Sequence, residues 1–126
     1  MLIPMLAFAM IAAPAGPYAV GTGGHLYKSC KVLVRLWDGE AQTDTSAITE
    51  CSTYVSGFID GHNFTSAPTK AGEAAKPVFC RDGASMGAMI RVYLNYMDKN
   101  PKLFDAPEMV GLAFSLMDAY PCQAIK

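Results

Sequence analysis

Four cysteines and two histidines are the side chains best suited to chemistry in this sequence, and their spacing decides what that chemistry can be. Cys30, Cys51, Cys80 and Cys122 include no close C-x-x-C pair of the kind structural zinc sites use, so no metal site is expected. An even set of cysteines in a short chain with an export leader reads instead as two disulfides, for which three pairings exist. His25 and His62 have no Glu, Asp or His at i+3 or i+4 to complete a ligand set on a helix, and both read as surface or capping residues. With the thiols consumed there is no thiolate nucleophile, and neither a G-x-S-x-G elbow nor a phosphate-cradling glycine loop is present. Gly21, Gly23 and Gly24 follow no strand and read as a flexible lead-in. Asp60 and Asp82 have nothing beyond their presence to make them an acid and base pair. The expectation is a protein that is not an enzyme and takes no cofactor.

What positions these residues is a single small domain. The chain has 126 residues, 52% of them hydrophobic and 17% charged, enough apolar surface to offset the entropy of ordering. A formal charge of -1 lacks the clustered cationic excess that nucleic acid requires. Before the first charged side chain, Lys28, lies an apolar run from Leu2 to Ala13 followed by Pro14, Ala15, Gly16 and Pro17. A dozen apolar residues make a helix of about 18 Å, too short for a hydrocarbon core of about 30 Å, so no membrane span is expected. Ala13-Pro14-Ala15 has the small-x-small pattern of a cleavage site. Residues 1–15 are therefore expected to be a signal peptide and residues 16–126 the mature helical domain.

Four segments carry apolar residues at helical spacing. The first runs from a Thr22 cap to Trp37, with Leu26, Cys30, Leu33, Val34 and Trp37 on its inner face. The second starts near Thr45 or Ser46, turns Ile48, Cys51, Val55, Phe58 and Ile59 inward and ends near Asn63. Gly57 and Gly61, four apart, suggest a face where another backbone approaches. Thr65 to Pro77 reads as a loop. The third helix follows a Ser85 cap and places Met89, Ile90, Tyr93, Leu94 and Met97 inward before Asn100-Pro101 ends it. Asp105 and Glu108 have capping-box spacing and open a fourth helix with Met109, Val110, Ala113, Phe114, Leu116, Met117 and Tyr120 inward. The fold class expected is all-α, a four-helix domain of two antiparallel hairpins.

Short connections make helices one and two, and three and four, antiparallel neighbours. Cys30 and Cys51 then lie level across the first hairpin, and Cys80 and Cys122 both sit at the open end of the second. The expected bridges are Cys30 with Cys51 and Cys80 with Cys122.

Five motifs lie in order along the mature chain: G-x-x-L-Y-x-x-C at Gly23 to Cys30, C-x-x-Y-V-x-G-x-x-D at Cys51 to Asp60, F-C at Phe79-Cys80, Y-L-x-x-M-x-x-N-P at Tyr93 to Pro101, and A-Y-P-C at Ala119 to Cys122. Together they resemble the Rap/Tai family of type VI secretion immunity proteins. The resemblance implies a periplasmic helical protein, often a homodimer, that binds and inhibits a peptidoglycan amidase effector delivered by neighbouring cells. A small periplasmic chaperone or envelope stress factor is the alternative reading. The partner surface is expected in the loop after helix two, at His62, Asn63, Phe64 and Lys70, with Phe64 as anchor. The competing expectation is that Phe64 folds back over the end of helix two.

Overall fold

The computed structural model describes residues 18–67 and 75–123. The expected leader lies outside them, and so does Lys70. Among the described residues four helices follow one another: α1 (Gly23–Trp37), α2 (Thr45–Ser66), α3 (Met86–Lys99) and α4 (Glu108–Ala119), with a short 3-10 helix at Pro101–Phe104. The starts of α1, α2 and α3 are set by side chains that accept from otherwise orphaned N–H groups. Thr22 accepts from His25, Asp44 from Ala47 and Ser85 from Ala88. α1 packs against α2 and α3 against α4, and α1 also touches α3, α4 and the 3-10 helix, which makes it the centre of the domain. The two hairpins share one core. Leu26 and Leu33 of α1 meet Val55 and Ile59 of α2, Met89, Ile90 and Tyr93 of α3, and Leu112 and Leu116 of α4. The bridges are Cys30–Cys51 and Cys80–Cys122, the first wholly buried in that core.

α2 continues three residues past Asn63 and stops at Ser66. Pro68 explains the stopping point, because the residue before a proline is pushed out of the helical region, and Ala67 is extended at φ -75°, ψ 139°. The capping box expected at Asp105 and Glu108 does not form. Asp105 closes the 3-10 helix, and α4 begins after Pro107 with no side-chain cap. A longer-range pairing replaces the cap: Thr22 and Pro107 form an antiparallel bridge, in which Gly23 N–H donates to Ala106 at 2.8 Å and Glu108 N–H donates to Gly21 at 2.9 Å.

That pairing also corrects the reading of the glycine cluster as a flexible lead-in. Gly21 holds φ +90° at the bridge, while Gly23 and Gly24 are buried in the first turn of α1. A Cβ on Gly23 would lie 2.3 Å from the Leu103 carbonyl oxygen, and one on Gly24 would strike the Tyr18 ring. The close approach expected at Gly57 and Gly61 is absent: a Cβ at either would meet nothing within 4 Å. They lie across α2 from its buried stripe of Cys51, Val55 and Ile59.

Four large residues assigned inward are turned out. Trp37 is 43% exposed where the end of α1 overhangs Gly87, and Met109, Phe114 and Met117 are 42–55% exposed. α4 is apolar on nearly every side, and its buried stripe is Gly111, Leu112, Ser115 and Leu116. The small Gly111 and Ser115 let α4 come close to its neighbours, and Gly111 lies against the Met97 sulfur.

Candidate functional site

The residues assigned to the partner surface separate into a clamp and an exposed pair. His62 sits in the last turns of α2, half-buried. Its ring stacks on Phe79 with centroids 3.9 Å apart, and its Nε2 accepts from the Val78 N–H at 3.2 Å. Accepting there requires an unprotonated Nε2, which places the neutral ring's proton on Nδ1. Nδ1 is buried and has no partner among the described residues. Phe79 is itself buried and lies parallel to Phe58, so His62 is a packing residue holding the α2–α3 connection to α2, not a surface or capping residue. The far side of that connection is fixed to the segment that follows α4 by the Cys80–Cys122 bridge and by the Cys80 N–H donating to the Tyr120 carbonyl at 2.8 Å.

Asn63 and Phe64 belong to the last turn of α2 and not to a loop. Phe64 does not fold back over the helix end, since it is 78% exposed. One residue on, the Thr65 carbonyl accepts from the Ala75 N–H at 3.2 Å, which brings the two ends of the connection together. Phe64 therefore projects from a rigid helix beside the neck of that connection.

A second cluster lies between α1 and the start of α2, and it was missed because its members are distant in sequence. His25 Nε2 lies 2.6 Å from Glu50 Oε1, and Ser29 Oγ donates to Glu50 Oε2 at 3.2 Å. The disulfide was the available signal. Ser29 and Glu50 each precede a cysteine of the Cys30–Cys51 bridge, so residues level with it had to meet. Ser29 is 4% exposed and both carboxylate oxygens are engaged, an arrangement that ties α1 to α2. No group of three or more His, Cys, Asp or Glu among the described residues could hold a metal ion.

Glu108 lies near this cluster. Burial raises its carboxyl above the usual range, the negative charge of Glu50 adds to the rise, and His25 opposes it. A carboxyl whose folded pKa is raised binds more protons folded than unfolded, so stability falls as pH climbs from the unfolded pKa through the folded one. Glu108→Gln is expected to remove that fall. Urea titrations across pH 4 to 7 read it, and an unchanged slope would contradict the assignment. Elsewhere, Tyr27 donates to Asp98, and burial followed by that carboxylate pushes its hydroxyl up to about 12.

A family model of Rap1a immunity proteins matches residues 22–122, from the cap of α1 to the fourth cysteine. No curated protein and no solved structure matches the chain.

Proposed function

The chain belongs to the Rap1a immunity protein family, and from that membership we propose that it is a periplasmic inhibitor that binds and blocks a peptidoglycan amidase delivered by type VI secretion. The observation that carries the reading is the family match over both bridged hairpins. Physical features support it. Two disulfides suit an oxidising compartment, and no helix among the described residues is long and apolar enough to cross a membrane. A body stapled at both hairpins holds its binding surface in place before the partner arrives, which reduces the ordering entropy lost on association. Inhibition of this kind asks for occupancy of the partner's cleft and no chemistry from the inhibitor.

Phe64 is the anchor of the proposed surface, with Asn63 beside it on the same helical turn and Lys70 in the connection that follows. His62 acts through Phe79, holding the base of that connection. An aromatic ring left in water on a rigid helix end suits a pocket in a partner. The outward Met109, Phe114 and Met117 of α4 form a separate apolar face, which we assign to the seam of a homodimer.

Phe64→Ala is expected to weaken binding of an amidase encoded beside the gene by about 30-fold, as loss of a hot-spot side chain does. Its Tm should stay unchanged, because the ring is mostly exposed. Calorimetric titration and thermal melts check the two together. Lost melting with undiminished affinity would move the surface elsewhere.

A further inference from the structure

Between α1 and the start of α2 lies an open groove of about 740 Å³, within the range of ligand-binding clefts. Its walls are largely apolar, with Tyr18, Val20, Val32 and Ala47 among them. Lys28, Lys31 and Arg35 stand along it at steps of three and four on α1, so all three follow one side of that helix. α1 contains no acidic residue.

The two carboxylates at the groove are both engaged within the protein. Asp44 caps α2 by accepting from the Ala47 N–H at 3.0 Å, and Glu50 is held by His25 and Ser29. The cations are held more loosely, Lys31 with its Nζ over the Tyr27 ring at 5.3 Å from the centroid. Among the described residues Lys28 and Lys31 make no salt bridge, and Arg35 reaches only Glu40, at 4.0 Å with both side chains mostly in water. The whole chain carries a net charge of -1, yet this groove presents three cations against two internally satisfied anions.

We infer that this groove is a docking site for an acidic segment of a protein partner, whose carboxylates meet Lys28, Lys31 and Arg35 while an apolar or aromatic side chain enters between Val32 and Ala47. The inference rests on the immunity reading in taking the amidase effector as the partner that supplies the segment. It adds a second contact surface about 25 Å along α2 from Phe64, at 1.5 Å rise per residue. Opposite charge across such a surface steers encounter and sets the salt dependence of association.

The test has two arms. In the first, a short synthetic peptide alternating glutamate with leucine and tyrosine, and its lysine counterpart, are titrated into the isotope-labelled protein. The glutamate peptide is expected to shift the amide signals of Lys31, Val32 and Ala47, and the lysine peptide to leave them in place. Equal shifts from both peptides, or none from either, count against the groove. In the second arm the double variant Lys28→Glu with Lys31→Glu is compared with Lys102→Glu, an exposed lysine away from the groove. The double variant should bind the neighbouring amidase at least about tenfold more weakly, with a flattened salt dependence and an unchanged Tm, while Lys102→Glu binds as the parent does. If the parent binds the amidase and the double variant binds it equally well, the groove assignment falls and the immunity reading stands. If the parent binds no amidase but seats the acidic peptide in the groove, the immunity reading falls and the groove remains.

Discussion

Replacing Cys80 and Cys122 together by alanine is expected to lower the unfolding free energy by about 4 kcal/mol, because the bridge closes 42 residues of chain and so restricts the unfolded state. The Cys30–Cys51 bridge closes 21 residues, for which the same chain-entropy argument gives about 3 kcal/mol. Its sulfurs are fully buried, so the alanine pair there also loses core contacts, and the two double variants should lie close together in stability. At about 4 °C per kcal/mol, either Tm falls by about 12 to 16 °C. They part in binding. Only the Cys80–Cys122 variant frees the segment next to Phe79 and His62, so only it should loosen the proposed partner surface at temperatures where both remain folded. Denaturant titration measures the first effect and amidase affinity the second. A loss below about 1 kcal/mol from either pair would show that the unfolded chain is already restricted there.

Gly23→Ala should destabilise the domain by about 2 kcal/mol, although helix propensity alone favours alanine by about 1 kcal/mol. The sign follows from what the added methyl meets. Leu103 O lies 2.3 Å from the ideal Cβ position and is backbone, so it cannot swing aside as the tip of a side chain could. Relief would come only by shifting the 3-10 helix away from α1. Gly57→Ala makes the same chemical change on an exposed stretch of α2 with nothing within 4 Å, and there the propensity term acts alone, for a gain of about 1 kcal/mol. Urea titrations of the two variants should therefore move in opposite directions. Parallel movement would mean that backbone propensity, and not packing, governs the start of α1.

Features decided within a few residues of chain were legible. Thr22 and Ser85 cap their helices through the next turn, and the inner face of α3 has one reading because its opposite face is polar. The bridges were legible at longer range, since short connections leave two adjacent helices little choice but to run antiparallel. What escaped was set by contacts between distant segments. The start of α4 depends on Gly21 and Gly23, more than eighty residues earlier, so local capping rules pointed to Asp105 instead. Met109, Phe114 and Met117 were misplaced because a helix apolar on both faces has no stripe to read, and the small Gly111 and Ser115 were the better indicators of the buried side. His25 and Glu50 meet only once the first hairpin is closed. Within the candidate site, Phe64 stood out as a large apolar residue, but its place in the last turn of α2 did not, because the helix runs on past Asn63 to Ser66. The role of His62 was not legible either, because it depends on Phe79, which the Cys80–Cys122 bridge holds in place from the other end of the fold.

The Thr22–Pro107 bridge has an electrostatic consequence of its own. It joins the N-terminal ends of α1 and α4 side by side. Each helix end carries roughly half a positive charge from its aligned peptide dipoles, so their meeting brings about one unit of partial positive charge together. α1 has no acidic residue in its first turn to balance this, whereas α4 has Glu108. That carboxylate sits where burial disfavours its charge and the paired dipoles favour it. Substituting Glu108 by a neutral residue would leave that partial charge without a compensating carboxylate in the first turn of either helix.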